Sequence, residues 1–348
     1  MRQEKNASLF VGDKSVGFAS IGMSIWGTNI GPSFLIASFG AAYSSGMLIA
    51  NFEWFAWIFL LVLGMVFTPF YLKSNATTIP QIIKSRFGEN MYRLLAVYSL
   101  ITIVIIWLGS GLYVGGLLFS QFTGWELWQS VLLLLIIATS FTIVGGLAAV
   151  IATDAFQTIL MIVGMSALTL IGLYEVGGID GLMAKAPPEY WRLIDLDSKD
   201  VPWLSFILGY PIMGIWFWCT DQTIVPLTTL FLVGLLWKRI TSKGATYGFV
   251  LGCISCLTVG ICSVNGQTFG LFEQWPHFLN LTFMLFIFTS VLTIGISLVT
   301  KHSQQERFLP KFKDVANTDT KQNKSIWMGW LLLAIVMVGL YAGFEYLS

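Results

Sequence analysis

Long apolar runs separated by charged residues dominate the chain. A helix needs about 20 apolar residues to cross the hydrocarbon core of a bilayer, which is about 30 Å thick. Nine runs approach or exceed that length, at residues 15–39, 46–72, 93–122, 129–151, 156–177, 203–237, 244–264, 279–300 and 326–347. The pattern therefore predicts an all-α polytopic membrane protein.

The charged residues between the runs predict an orientation. Lys and Arg cluster within 2–14, 73–93, 238–243 and 301–324, whereas 178–202 is rich in Asp and Glu. Basic loops favour the cytoplasmic side of a membrane. The assignments alternate along the chain, with the N-terminus inside and the C-terminus outside, if 203–237 crosses once. We expect a multi-pass protein of the plasma membrane with a cytoplasmic N-terminus.

Composition agrees with this class. Hydrophobic residues make up 56% of the 348 residues and charged residues 11%, and the mean hydropathy is +0.77. Soluble domains have about 45–50% apolar and about 25% charged residues. With so few charges and a net charge of +1, the chain offers no basic surface to nucleic acid. The lipid bilayer is the expected environment.

One run is too long for a single crossing. A straight helix over 203–237 would measure about 50 Å, yet no polar loop divides it. Two interpretations remain open on length alone. The run is either one broken, tilted helix, or the start of one span joined to the end of another near Val225 and Pro226.

Two polar fragments lie within apolar sequence: Gly27 to Ser33, and Trp218-Cys219-Thr220-Asp221-Gln222. Polar groups at membrane depth are tolerated where they line a buried site. Gly27, Gly31 and Pro32 predict unwound backbone, whose carbonyl oxygens suit a hard cation. A patch of small residues for helix packing is the alternative.

Three further polar side chains are candidate site residues. Asn29 can donate and accept, which suits a hydroxyl-rich ligand, or it can bond another helix. Glu53 is the acid of the second run, and a carboxylate beside aromatic residues is suited to binding a sugar; its alternative role is as a structural partner of the first span. Asp154 precedes a long apolar stretch, as a helix N-cap would.

The order of short motifs resembles the sodium/solute symporter family, and within it the sodium/glucose cotransporter branch. The matching segments are Thr28-Asn29-Ile30-Gly31, Phe52-Glu53-Trp54, Thr78-Ile79-Pro80 with Arg86-Phe87-Gly88, Gly145 to Val150 with Thr153 to Gln157, Trp218 to Gln222, and Gly234 to Arg239 with Lys243-Gly244-Ala245. The resemblance implies an inverted-repeat (LeuT-type) transporter core of two five-helix repeats, with ion and solute bound where the first helix of each repeat is broken.

The resemblance also implies roles for individual residues. The carbonyl groups of Gly27 and Ile30 would bind the coupling ion, sodium, and Asp154 would lie on its exit route. Asn29 and Glu53 would contact the solute, a sugar such as glucose or galactose. Trp218 would contact the sugar, and Phe217 would act as the inner gate.

Two positions depart from the sugar-transporting pattern. Phe34 and Gly214 stand where those relatives carry polar contacts. Both differences remove hydrogen bonds that a sugar would use, so they bear on solute specificity.

The resemblance further implies an incomplete second repeat. The predicted organisation is a cytoplasmic N-terminal segment (1–14), a first five-helix repeat (15–177), an extracellular loop (178–202), a remnant of the second repeat formed by fused spans (203–237), and C-terminal transmembrane helices (238–348). The helix that normally completes the sodium site has no match.

We therefore expect sodium-coupled solute symport by alternating access, impaired in this chain. A non-transporting regulatory or defective isoform of such a symporter is the alternative. An enzyme is not expected, because the spans contain no Ser/His, Asp/His or metal-ligand cluster, and His277 and His302 lie in loops.

Overall fold

A computed structural model describes residues 17–74, 78–196, 198–215, 217, 225–237, 239–268, 270, 272, 274–301 and 320–347. Within these residues the regular structure is entirely helical. The chain divides into two compact units: a first unit of Met1–Gly46 with Ile101–Tyr190, and a second unit of Met47–Leu100 with Trp191–Ser348. Residues of the 15–177 segment therefore occur in both units.

Fifteen α-helices lie within the described residues. In chain order they are α1 (Phe18–Asn29), α2 (Pro32–Ser45), α3 (Asn51–Trp54), α4 (Ala56–Val62), α5 (Thr68–Ser74), α6 (Ile79–Phe87), α7 (Glu89–Thr102), α8 (Gly109–Thr123), α9 (Leu127–Val176), α10 (Gly178–Lys185), α11 (Trp203–Gly214), α12 (Val225–Leu236), α13 (Ser242–Val264), α14 (Phe278–Val299) and α15 (Thr320–Leu347). Short 3-10 turns occupy Gly46–Ala50 and Pro188–Trp191, and π turns occupy Leu63–Phe67 and Ile103–Leu108.

Six helical stretches among the described residues are long and apolar enough to cross a membrane. They are Pro32–Tyr71, Glu89–Thr123, Leu127–Val176, Ser242–Val264, Phe278–Val299 and Lys324–Phe344, and two shorter apolar helices lie at Trp203–Gly214 and Val225–Gly234. These stretches confirm the all-α polytopic membrane class. They are fewer than the nine apolar runs because two pairs of neighbouring runs continue into one another as helix, and because the run at 203–237 contains the two shorter helices.

The division between the fourth and fifth runs lies earlier than the sequence predicted. The apolar pattern placed it between 151 and 156, but α9 is helical there and is broken instead at Gly146, with φ 60° and ψ −161°. A side chain is strained at positive φ, whereas glycine adopts it at little cost. The break therefore follows backbone chemistry, and hydropathy alone could not locate it.

The long run at 203–237 contains two helices, α11 and α12, each of 12 residues. Residues 218–224 lie outside the described part of the chain. The junction at Val225 and Pro226 thus stays a prediction. Pro226 is buried at the first turn of α12, where a proline is tolerated because it lacks only a hydrogen bond that the first turn does not make.

Helices α13 and α14 of the second unit pack through small residues. Gly248 of α13 faces Thr293 of α14, and a Cβ atom at Gly248 would lie 2.9 Å from the Thr293 Cβ. One turn further along α13, a Cβ at Gly252 would lie 2.7 Å from Thr289 Cγ2. Such close approach increases van der Waals contact, which drives helix association where lipid removes the hydrophobic effect.

Contacts in the second unit join segments that the charge pattern assigned to the same side. The Ser242 hydroxyl donates to the Phe87 carbonyl, and both residues belong to segments predicted as cytoplasmic. His277 Nε2 lies 2.9 Å from the carbonyl oxygen of Asp200, which belongs to the loop predicted as extracellular. The orientation of the chain in the membrane stays a prediction.

We predict that Gly248→Leu destabilises the chain by about 1–3 kcal/mol, because the added side chain has to push α14 away. Thermal unfolding of the purified protein in detergent measures the effect. Gly260→Leu is the matched control, since Gly260 lies on the same helix with open space around it. Equal unfolding midpoints for the two variants would contradict the packing described here.

We also predict an acid-sensitive start of α14. Burial lowers the pKa of His277 from its ordinary value of 6.5, while the hydrogen bond with Asp200 opposes this. The neutral ring can donate from Nε2 to Asp200 and accept from the Leu279 amide at Nδ1, 3.4 Å away. Because the folded pKa is the lower one, this stability is present above about pH 6.5 and is lost as the pH falls through the folded pKa.

Thermal unfolding between pH 8 and pH 5 tests this expectation. His277→Asn keeps an N-cap acceptor but does not titrate, so it should lose part of the acid sensitivity. His302→Asn serves as the control and should retain it. Identical pH profiles for wild type and His277→Asn would contradict the prediction.

Candidate functional site

The first predicted span is broken as its sequence indicates, over a shorter segment than expected. Helix α1 ends at Asn29, and Ile30 has φ −99° and ψ 78°. Gly31 is extended, with φ −93° and ψ 174°, and Pro32 begins α2. The unwound segment is therefore Ile30 and Gly31. Gly27 remains helical, since a single glycine costs a helix only about 1 kcal/mol.

Asp154 of α9 lies against α1 within the first unit. The Ser24 hydroxyl donates to Asp154 Oδ2 at 2.7 Å, and the Thr28 hydroxyl lies 3.4 Å from the same oxygen. One turn further along α9, the Thr158 hydroxyl donates to the Met23 carbonyl at 2.7 Å. These hydrogen bonds hold the N-terminal half of the broken span against α9.

The N-cap interpretation of Asp154 is wrong. Asp154 lies inside a helical stretch, eight residues after the break at Gly146. Its carboxylate accepts hydrogen bonds from another helix instead of from the amides of its own first turn. A carboxylate in this position can attract and bind a cation.

Gly27 permits the close approach of α1 and α9. A Cβ atom at Gly27 would lie 2.5 Å from Thr158 Oγ1 and 3.1 Å from the Asp154 carbonyl oxygen. Any larger residue would have to move the two helices apart. Gly27 and Asp154, both predicted as ion-site residues, are thus brought together.

Asn29 ends α1 beside the break. Its Nδ2 donates to the Ile25 carbonyl at 2.8 Å, and the side chain is half-buried. This local bond covers a carbonyl of the last helical turn. The amide lies next to Ile30, so the unwound backbone and this polar side chain occupy adjacent positions.

Glu53 belongs to α3, a four-residue helix in the second unit, and its side chain is exposed. The preceding Asn51 is completely buried, and the rings of Phe52 and Trp54 pack against other aromatic residues. The two aromatic neighbours of Glu53 are therefore engaged in packing. Within α3, the Glu53 side chain is therefore the exposed one.

Phe217 is half-buried just beyond α11, while Trp218 lies outside the described residues. Helices α3 and α11 are connected, because the Tyr210 hydroxyl of α11 donates to the Phe52 carbonyl of α3. Glu53 therefore lies in one of two contacting helices, and Phe217 lies just beyond the end of the other.

The departure at Gly214 has a packing explanation. A Cβ atom there would lie 2.6 Å from Phe59 Cδ2, and Phe59 is only 5% exposed. The phenyl ring fills the space that a polar side chain at 214 would need. Phe34 is half-buried, and the described contacts give no reason for a phenylalanine there.

Sequence reasoning missed Ser24 and Thr158 as partners in the ion-site region. A signal was present, because Ser24 and Thr28 are four residues apart, as are Asp154 and Thr158. Polar residues at this spacing share one face of a helix. Pairing the two faces required the tertiary structure.

We predict that Gly27→Leu destabilises the chain by about 1–3 kcal/mol through the clash with α9. Thermal unfolding in detergent gives the readout, with Gly22→Leu as the control. Gly22 lies on the same helix, and a Cβ atom there would have no neighbouring atom within 4 Å. A Gly27→Leu variant as stable as Gly22→Leu would show that the close approach of α1 and α9 is not required.

Comparison with known proteins provides independent information. The model of the sodium:solute symporter family matches residues 9–213, more than half of the chain. Sodium/glucose cotransporter 4 of Mus musculus is 33% identical over 235 aligned positions, covering 62% of this chain and 34% of that protein. Sodium/glucose cotransporter 2 of Rattus norvegicus is 32% identical, covering 71% of this chain and 39% of that protein.

The sodium/myo-inositol cotransporter of Homo sapiens is 33% identical over 74% of this chain and 39% of its own length. The chain thus spans between about a third and two fifths of the curated relatives it matches. The matching family is one of transport proteins, which confirms the expectation that the chain is not an enzyme. The chain belongs to the sodium:solute symporter family.

Proposed function

We propose that the chain takes part in sodium-coupled symport of a sugar or related polyol by alternating access in the plasma membrane. Support comes from the family and from relatives named as sodium/glucose and sodium/myo-inositol cotransporters. The observation that carries the proposal is the polar contact between α1 and α9, where Ser24 and Thr28, in the helix that ends at the break, meet Asp154.

The ion part of the proposal uses oxygen atoms of the first unit. Carbonyl groups at Gly27 and Ile30 carry partial negative charge at the end of a helix, which favours a cation. The Asp154 carboxylate adds an oxygen atom that lies beside the Ser24 and Thr28 hydroxyl groups, on either side of Gly27 in sequence. Sodium is a hard cation that prefers such oxygen ligands, by the same reasoning that applies to calcium and magnesium.

The solute part assigns hydrogen bonding to Asn29 and Glu53, and an aromatic wall to Phe217 and Trp218. Ionised Glu53 can accept hydrogen bonds from two hydroxyl groups of a sugar, and its exposure leaves it accessible to a ligand. Aromatic rings pack against the apolar face of a sugar ring.

The N-terminus and the segments 73–93 and 238–243 would be cytoplasmic.

Impaired transport is the second part of the proposal. A hard cation of this kind takes about six oxygen ligands, and Gly27, Ile30 and Asp154 offer only part of such a set. We propose that further ligands would normally come from the helices with no match in this chain. A non-transporting regulatory or defective isoform is the alternative.

Uptake of radiolabelled D-glucose and myo-inositol into proteoliposomes that contain only this chain tests the proposal. We expect uptake to be weak and to depend on an inward sodium gradient. Asp154→Asn should raise the half-saturating sodium concentration about tenfold or more, since a hydrogen-bonded charged group contributes about 1.5–3 kcal/mol. Asp180→Asn, in an exposed position of α10, is the control.

Glu53→Gln should reduce solute binding by a similar factor, with Glu175→Gln at the exposed end of α9 as its control. Sodium-dependent binding without uptake would favour the non-transporting isoform. Uptake at the rate of a full-length relative would contradict the proposed impairment. Uptake that is insensitive to sodium would contradict the proposed coupling.

A further inference from the structure

The last helix of the chain contacts the segment that carries Glu53. Asn51 is completely buried, and its Oδ1 accepts a hydrogen bond from the Tyr341 hydroxyl of α15. Its Nδ2 donates to the Leu48 carbonyl at 2.8 Å and to the Leu193 carbonyl at 2.7 Å. One amide therefore joins the turn before α3, the loop before α11, and α15.

Aromatic rings of α15 extend this contact along the segment. The Trp54 ring lies 5.7 Å from the Tyr341 ring and 5.7 Å from the Phe344 ring, measured between centroids. Further along, Trp330 Nε1 donates to the Trp57 carbonyl at 3.1 Å. Aromatic pairs at such distances add to the stability that burial alone provides.

The residue before Glu53 is held from another direction. The Phe52 carbonyl accepts from the Tyr210 hydroxyl, and the Phe52 ring lies 5.4 Å from the Phe206 ring and 5.9 Å from the Phe278 ring. Glu53 is thus the exposed residue between two neighbours that are both fixed by packing.

Helix α3 is one turn within the helical stretch Pro32–Tyr71, between the 3-10 turn at Gly46–Ala50 and α4. The backbone changes its helical geometry on both sides of this turn, with φ −71° and ψ −8° at Phe55. Because Asn51 and Trp54 contact α15, those contacts bear on how the turn is oriented. The Asn51 side chain is buried. Without the Tyr341 hydroxyl, its amide oxygen Oδ1 would lose this hydrogen bond, at a net cost in free energy.

We propose that α15 positions the solute-binding carboxylate: the Tyr341 hydroxyl, acting through Asn51, sets the direction in which α3 presents Glu53. The inference rests on the proposed role of Glu53 in solute binding. Tyr341 is a positioning residue that does not itself touch the solute. Its loss weakens solute binding and leaves the hydrogen bonds of Asp154 in the first unit intact.

Tyr341→Phe tests this in the full chain, because it removes the hydroxyl and keeps the ring. Tyr346→Phe is the matched control, on the same helix with the Tyr346 side chain 91% exposed. Two measurements are made on each variant in nanodiscs: equilibrium binding of tritiated D-glucose and myo-inositol, and hydrogen exchange of the amides of residues 46–58 by mass spectrometry.

For Tyr341→Phe we expect about tenfold weaker binding of the probe, which corresponds to about 1.4 kcal/mol. Exchange should be faster at 51–55 and unchanged at 150–160. Tyr346→Phe should match wild type in both measurements. If Tyr341→Phe and Tyr346→Phe unfold at the same temperature, weaker binding by Tyr341→Phe cannot be due to a general loss of stability.

The inference is overturned if Tyr341→Phe binds the probe like wild type while Glu53→Gln loses it; the proposed function then stands. If Glu53→Gln binds like wild type, the proposed role of Glu53 fails, and the positioning role fails with it. The exchange measurement needs no ligand, so unaltered exchange at 51–55 in Tyr341→Phe overturns the inference whether or not a probe binds.

Discussion

The hydrocarbon core of a bilayer contains no water to hydrogen-bond with polar groups, and this constrains every polar side chain of the spans. Many hydroxyl groups meet the constraint within their own helix. Ser140 donates to the Ile136 carbonyl and Thr169 to the Met165 carbonyl, four residues earlier in each case. Such bonds need no neighbour, so these residues carry little information about function.

A smaller set of polar groups finds partners on other elements. Ser24, Thr158 and Asn51 each form a hydrogen bond with a residue more than 100 positions away in sequence. In this chain they lie beside residues with a proposed transport role: Ser24 and Thr158 near Gly27 and Asp154, and Asn51 near Glu53. Long-range pairs also occur away from these residues, as between the Tyr190 hydroxyl and the Tyr43 carbonyl, so such pairing shows which segments are joined and does not by itself identify a site.

Glycine acts through two different properties in this fold. At Gly27 and Gly248 the missing side chain lets neighbouring helices approach, and any Cβ atom would overlap the partner helix. At Gly146 the requirement is conformational, since φ is 60° there. The sequence alone does not distinguish these uses, because a glycine in an apolar run looks the same in both. Hence the division of α9 was predicted several residues too late.

The sequence by itself determined the membrane class, the presence of a break in the first span near Gly31, and the family. These depend on local properties: apolar length, the backbone limits of Gly and Pro, and the order of motifs. The tertiary structure decided which polar groups pair. Tyr341 and Asn51 are 290 residues apart, and Asp154 became a partner of Ser24 instead of an N-cap. A hydrogen bond forms only where packing brings donor and acceptor within about 3 Å, and local patterns do not specify that distance.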